Sequence, residues 1–406
     1  GAERVMQVVQ NDFKDRVAFI AQNIVGKNAS EHVFDPYVIR EQNGIPIGII
    51  GQAFPYTPQA NGAQFTPDWE FGIDEARLQA LVETVRKQGA QVIVLLSHNG
   101  MDIDLKLASR ISGIDMILGG HTHDGVPVPS VVGNPGGRTI VTNAGSHGKF
   151  LAVIDFDVRQ GRVIDFRYKL LPVFSELLPA DATMQATIDR VRAPFVEQLR
   201  EPLAQTPELL YRRGNFNGSW DQLIVEALMQ VKGAEIAFSP GFRWGTTLLP
   251  GQTITRESLM GQTAVTYPDT SVVALTGMEI KAHLEKFCDK LFHEDPYQHQ
   301  GGDMVRTGGL TYACEPGGKK GSRISEMSLR GKPIQADKTY KVARWGVGSA
   351  QSEGEPVWEV VEQYLKQGSA VKPHTPNVPK LIGVRSNPGV APMGSPGTRV
   401  SETTLC

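Results

Sequence analysis

The chain has 406 residues, long enough to bury a sizeable core and to form two or three domains. Its 41 basic and 43 acidic residues leave a net charge of −2, which excludes the strongly basic footprint of a nucleic-acid binder or of a protein held on an anionic membrane surface. No apolar run approaches the roughly 18–20 residues that span a bilayer. The first element candidate is RVAFIAQNIV, read as a strand. PYVIREQNGIPIGIIGQAF follows as a hairpin turning at Asn43-Gly44, a dipeptide suited to the two positive φ angles of a type I′ turn. Between Asp74 and Gly89, Leu78, Leu81, Val82 and Val85 recur at i, i+3, i+4 and i+7, which predicts a helix with one apolar face.

QVIVLL, ending at Ser97-His98, is a continuous apolar run and suits a strand covered on both faces. Leu105, Ala108 and Ile111 mark a short helix, then IDMIL a strand that runs into Gly119-Gly120-His121. RTIVTNAG and the hairpin LAVIDFDVRQGRVIDFRYKL add further strands. A helical segment from Asp181 to about Arg200 leads into a second region. There, Ser219 to Lys232 reads as a capped helix stopped by Gly233, and Thr276 with Glu279 has capping-box spacing. Cys288 lies in a helical pattern and reads as a small buried hydrophobe, and the three cysteines form no zinc or redox motif. The stretch from Asn387 to Cys406, rich in Gly, Pro, Ser and Thr, is expected to be disordered.

Three histidines fall just beyond the carboxyl ends of expected buried strands: His98 in VLLSHNG, and His121 and His123 in LGGHTH. In open α/β sheets that edge is where ligands bind. Alternate residues of an extended segment point to opposite sides, so His121 and His123 are expected to face two different ions, with His98 joining His121. Imidazole suits Zn, Mn, Fe and similar metals. In the second region, Arg306 in GGDMVRTGG stands between glycine pairs that let backbone approach a ligand, and a guanidinium fork matches a tetrahedral oxyanion. Asp303 either orients an arginine or caps a turn, and Trp244 either walls a pocket or belongs to the core.

GGHTH, preceded by LLSHNG and followed by VTNAGSHGKFLAVIDFDV, resembles the second half of a calcineurin-like metallophosphoesterase domain of the 5′-nucleotidase type. FSPGFRWGTTLLPGQTIT and the stretch through TGMEIKAHLE resemble the C-terminal substrate domain of the same family. GGHTHDGVPVP, SPGFRWGTTLLPG, DPYQHQGGDMVRTGGLTY and SNPG are similar to the thiosulfohydrolases of the sulfur-oxidising (Sox) system. The resemblance implies an α/β fold. Residues 1–172 would form the C-terminal part of an αββα metallophosphoesterase sandwich, 173–202 a linker helix, 203–386 the 5′-nucleotidase C-terminal domain and 387–406 a tail.

It further implies a hydrolase using two metal ions, manganese in the family, with His98, His121 and His123 among their ligands. Arg243 falls where the family places a substrate-binding arginine, and Tyr267 falls at an aromatic position that helps hold the base in nucleotidases. The implied reaction releases sulfate from a cysteine S-thiosulfonate on a Sox carrier protein, in the periplasm. A 5′-nucleotidase or related phosphoesterase, and a module that binds the carrier without turnover, are the alternatives. The family's Asp-x-His, bridging Asp and Gly-Asn-His-like elements do not occur in this chain. The opening GAERVMQVVQNDF reads as the continuation of a longer protein, so those catalytic groups are expected upstream of Gly1. On this reading the chain alone is expected to be inactive and to expose apolar strand faces such as that of QVIVLL.

Overall fold

The computed structural model describes residues 1–27, 31–242, 244–346, 354–367 and 375–384, and they fall into two compact units. The first unit holds the described residues of Gly1–Leu199 and, from much later in the chain, His293–Gly302. The second holds Arg200–Phe292, Asp303–Gly346 and the described residues beyond 353.

Helix α1 (Ala2–Gln7) opens the first unit. The expected strand over RVAFIAQNIV shrinks to β1 (Ile24–Gly26), which follows β-bridged coil at Ile20. The hairpin is formed by β2 (Tyr37–Gln42) and β3 (Ile45–Gln52), with Gln42 opposite Ile45. Asn43 and Gly44 have φ of 53° and 76°, as a type I′ turn requires. A short helix α2 (Thr57–Asn61) precedes β4 (Trp69–Phe71), which pairs antiparallel with β1.

Helix α3 (Glu75–Lys87) begins at Asp74, whose carboxylate accepts the N–H of Arg77, and it buries Leu78, Val82 and Val85. Strand β5 (Val92–Ser97) is buried except at Leu96, which is 43% exposed. Helix α4 (Met101–Arg110) buries Ile103, Asp104, Leu107 and Ala108; of the expected face, Ala108 and Ile111 lie in the core and Leu105 packs half-buried against it. Strand β6 (Met116–Gly119) is followed by β7 (Ser130–Asn134) and β8 (Gly137–Asn143).

The sheet order is β2-β3-β5-β6-β8-β7. Its centre, β3, β5, β6 and β8, is parallel, and β2 and β7 are antiparallel edges. The connections through α3 and α4 are the crossovers that a parallel sheet needs, and both helices pack on its core. Strands β9 (Phe150–Arg159) and β10 (Arg162–Pro172) make a separate antiparallel pair, and α5 (Ala182–Arg192) and α6 (Val196–Arg200) follow.

In the second unit, β11 (Pro202–Gln205) leads to α7 (Ser219–Lys232), which ends at Gly233 in the left-handed conformation. Its Ser219 hydroxyl does not cap the helix; it donates to the carbonyl of Leu209. Next come β12 (Ile236–Ser239), β13 (Thr253–Thr255), α8 (Arg256–Thr263), β14 (Thr270–Thr276) and α9 (Gly277–Leu291), which starts with the expected Thr276–Glu279 capping box. Strands β15 (Arg306–Gly308), β16 (Leu310–Cys314), β17 (Ile324–Leu329), β18 (Lys332–Pro333) and β19 (Thr339–Trp345) are followed by α10 (Val357–Lys366) and β20 (Lys380–Leu381). Two mixed sheets result, ordered β14-β19-β12-β15 and β18-β17-β16-β20. The stretch from Asn387 lies outside the described residues.

Candidate metal centre

The carboxyl ends of β5 and β6 bring two of the three histidines together. The parallel register sets Gln52 beside Ser97 and Leu96 beside Leu118. His98, just past β5, donates its backbone N–H to the carbonyl of Gln52 at 2.9 Å. Beyond β6 the Gly119-Gly120 pair carries the chain round to His121. The His98 and His121 ring centroids lie 5.3 Å apart. Phe54 stacks on His121 at 4.2 Å and meets His98 edge-on at 6.2 Å.

His121-Thr122-His123 is not extended, which corrects the strand-type alternation expected of it. His121 and His123 have φ of 68° and 59°, and the Thr122 N–H turns back on the Gly120 carbonyl at 2.8 Å. Side chains at positive φ are uncommon and concentrate at functional sites. The two rings nevertheless have different neighbours. His121 lies by His98, whereas the His123 ring is 6.1 Å from that of His147, edge to face. The turn is held by the Met101 N–H, which donates to the Thr122 hydroxyl, and by Asn143, whose amide donates to the Gly120 carbonyl.

The protonation states favour ligation. Burial, with a smaller contribution from His123, holds His98 below the usual imidazole value, so it is neutral at neutral pH. His121 Nε2 is 3.0 Å from the carbonyl oxygen of Gln300. A carbonyl only accepts, so Nε2 carries a hydrogen in this contact.

Gln300 belongs to the segment His293–Gly302, a strap over α4. Lys106 Nζ pairs with Asp295 at 2.7 Å and lies 3.8 Å over the Tyr297 ring. The Tyr297 hydroxyl donates to Glu75 at 2.8 Å, and His299 sits 3.3 Å from Asp102. A Cβ at Gly301 would fall 2.3 Å from His121 Nε2, and its φ is 72°, so only glycine fits there.

Three imidazoles suit a divalent transition metal. Among the described residues, however, no set of three or more His, Cys, Asp or Glu side chains is disposed to hold one ion. The chain therefore fits such a centre as two half-shells, His98 with His121 and His123 by His147, rather than as a closed site.

Asp104 is a site-bordering residue that periodicity did not reveal. Fully buried in α4, it accepts from the Ser97 hydroxyl at 2.6 Å and from the Asn99 amide at 3.1 Å, the two residues that flank His98. Its other oxygen has no hydrogen-bond partner among the described residues, and burial pushes its carboxyl up to about 7. The folded state thus holds a proton that the unfolded chain releases near 3.8. Wild-type stability should therefore fall as pH rises from about 4 through 7. Asp104→Asn should abolish that loss, so urea denaturation at pH 5 and pH 8 should show the variant gaining about 2–3 kcal/mol on wild type between them. Parallel pH profiles for the two proteins would contradict this.

The second unit corrects the reading of Arg306. It is completely buried, bonded to Asp221 at 3.2 Å, to Asp303 at 2.9 Å and to the carbonyls of Met304 and Arg212. Its donors are committed to the interior, so it braces the fold rather than clamping a substrate anion. Asp303 accepts from that guanidinium. Arg212, equally buried, takes the other oxygen of Asp221 at 2.7 Å and lies over the Phe242 and Trp244 rings. Trp244 is half-buried and stacks on Phe242 at 3.8 Å, and Tyr267 is half-buried. Arg243 lies outside the described residues.

Comparison with known proteins gives this arrangement a family. The model of the 5′-nucleotidase C-terminal domain matches residues 214–359. The structure of sulfate thiohydrolase SoxB from Thermus thermophilus in complex with glycerol is 38% identical with a TM-score of 0.87, covering 95% of this chain and 71% of that one. The 5′-nucleotidase precursor of Thermus thermophilus shares the fold, at 23% identity and a TM-score of 0.77, covering 92% of this chain and 80% of that one. Protein UshA of Yersinia enterocolitica is 24% identical, over 86% of this chain and 70% of its own length. These likenesses confirm an α/β fold with metallophosphoesterase-type and 5′-nucleotidase C-terminal parts. The chain belongs to the 5′-nucleotidase family of hydrolases, in the group that contains sulfate thiohydrolase SoxB.

Proposed function

We propose that this protein hydrolyses a cysteine S-thiosulfonate carried by a Sox carrier protein and releases sulfate. The observation that carries this reading is the 38% identity with a sulfate thiohydrolase across 95% of the chain. In the reaction, water oxygen bonds to the terminal sulfonate sulfur and the S–S bond to that sulfur breaks. Sulfate departs, and a persulfide stays on the carrier cysteine. The same likeness points to the periplasm as the compartment. No helix among the described residues is long and apolar enough to cross a membrane.

Two divalent ions, manganese by resemblance, would supply a hydroxide at neutral pH and offset the oxyanion's charge. In this reading His98 and His121 ligate one and His123 the other. Phe54 fixes the His121 ring plane by stacking, and the Gln300 carbonyl accepts from its Nε2. The positive φ of His121 and His123, and their different ring neighbours, His98 and His147, support that division. Arg243, Trp244 and Tyr267 are proposed to meet the sulfonate and the carrier arm; Arg306 is not.

A phosphoesterase reading is favoured by one observation, the match of residues 214–359 to the 5′-nucleotidase C-terminal domain. The test uses the full-length enzyme with manganese, given thiosulfonate-loaded carrier or a nucleoside monophosphate. Sulfate release with little phosphate release supports the proposal. Phosphate release alone replaces it with the nucleotidase reading, and carrier binding without either product reduces the protein to a binding module.

A further inference from the structure

Outside the histidine centre, the second unit contains two nucleophiles in contact. Cys288 on α9 and Cys314 at the end of β16 are both completely buried, with their sulfurs 3.1 Å apart. They lie in one apolar cluster with Ile280, Leu284, Tyr312 and Ile324. The surroundings are fixed from both sides. The Glu285 carboxylate on α9 accepts the backbone N–H groups of Arg323 and Ile324, each at 2.9 Å, and Arg323 also pairs with Asp289. Helix and sheet are therefore pinned within a turn of the two thiols. A disulfide needs sulfurs about 2.05 Å apart, so an approach of about 1 Å closes the bond, which side-chain rotation can supply. A metal role is not supported, since no third His, Cys, Asp or Glu joins the pair in a metal-binding set among the described residues.

We propose that Cys288 and Cys314 form a structural disulfide whenever this chain folds in an oxidising compartment, tying α9 to β16. The oxidant is a disulfide, either glutathione disulfide or that of a thiol oxidoreductase. In the fold either sulfur can donate to the other; that contact, with burial, pushes the Cys288 thiol up, and it holds the Cys314 thiol down. The thiolate of one of the two cysteines attacks the oxidant and expels one of its sulfurs as a thiol. The other cysteine, losing its proton, then attacks the protein sulfur of the mixed disulfide and expels the second. Two protein thiols are oxidised, one external disulfide is reduced to two thiols, and the two protons end on those thiols. Because both cysteines are buried, the exchange belongs to folding, before α9 closes over β16. The inference does not depend on the substrate reading.

The test is to refold the protein in a glutathione redox buffer, quench in acid, and alkylate under denaturing conditions before and after reduction. With three cysteines in the chain, one alkyl group is expected before reduction and three after it. Trypsin should release Phe287–Lys290 joined to Thr307–Lys319. Reduction should lower the melting temperature by roughly 5–10 °C. In the C288A/C314A double variant, reduction should change nothing. Three alkyl groups without reduction, or a linkage that always includes Cys406, overturns the proposal. So does a wild-type melting temperature indifferent to reduction.

Discussion

His121→Ala in the full-length enzyme should lower kcat/KM for manganese-dependent hydrolysis by more than about 100-fold, since even residues that merely orient metal ligands cost 10–100-fold when replaced. His121 is the residue on which the site's contacts converge. It lies 5.3 Å from His98, is stacked on Phe54 and is bonded through Nε2 to the Gln300 carbonyl. Removing the imidazole deletes a donor and empties the space between Phe54 and the strap. Metal content measured alongside turnover separates the two effects. A ligand loss lowers bound manganese and activity together, and raised manganese partly restores the rate. Full activity with unchanged metal content would remove His121 from the centre.

Asp221→Ala should cost about 3–5 kcal/mol of stability, the range found when one member of a buried ion pair is deleted. Asp221 is wholly buried and divides its oxygens between two arginines, Arg212 at 2.7 Å and Arg306 at 3.2 Å, both also buried. Its loss leaves two guanidinium groups in the interior, with Asp303 as the remaining carboxylate bonded to Arg306. The cavity left by the small side chain adds little beside that. Asp221→Asn, which keeps the shape and discards the charge, should fall between alanine and wild type. Chemical denaturation of the three proteins measures the effect. A loss below about 1 kcal/mol for alanine would mean that water or rearrangement satisfies the arginines.

Much of the first unit can be read directly from residue order. Asn43-Gly44 sets its turn because few other residues adopt two successive positive φ angles, and α3 follows from Leu78, Val82 and Val85. RVAFIAQNIV misled because β propensity does not supply a continuous partner: Ile20 makes a single bridge to Asp35, and a strand forms at Ile24–Gly26, paired with β4. The meeting of His98 and His121 was legible because strand ends lie at one edge of a parallel sheet. The positive φ of His121 and His123 was not, since local glycine content does not dictate the φ of the histidines that follow. Arg306 was misread for a related reason. Flanking glycines signal close backbone approach, and here what approaches is the protein's own interior: Asp221, on α7, is too distant in sequence to leave a trace, whereas Asp303, three residues before Arg306, was legible as a carboxylate able to orient an arginine. Asp104 was hidden because a carboxylate at a helical core position breaks the apolar pattern that identifies such positions.

The strap over α4 also bears on how the chain is made. Residues His293–Gly302 belong to the first unit, yet they are separated from its main body by the start of the second. A ribosome adds about 5–20 residues per second. Where the chain folds as it is made, the first unit therefore waits, for about 8–30 s, between synthesis of its sheet, which ends at Asn143, and arrival of the segment that covers Lys106, Glu75 and His121. During that interval His121 lacks its contact with Gln300. Chain order thus sets an order of assembly, in which the sheet edge forms first and the strap closes on it afterwards.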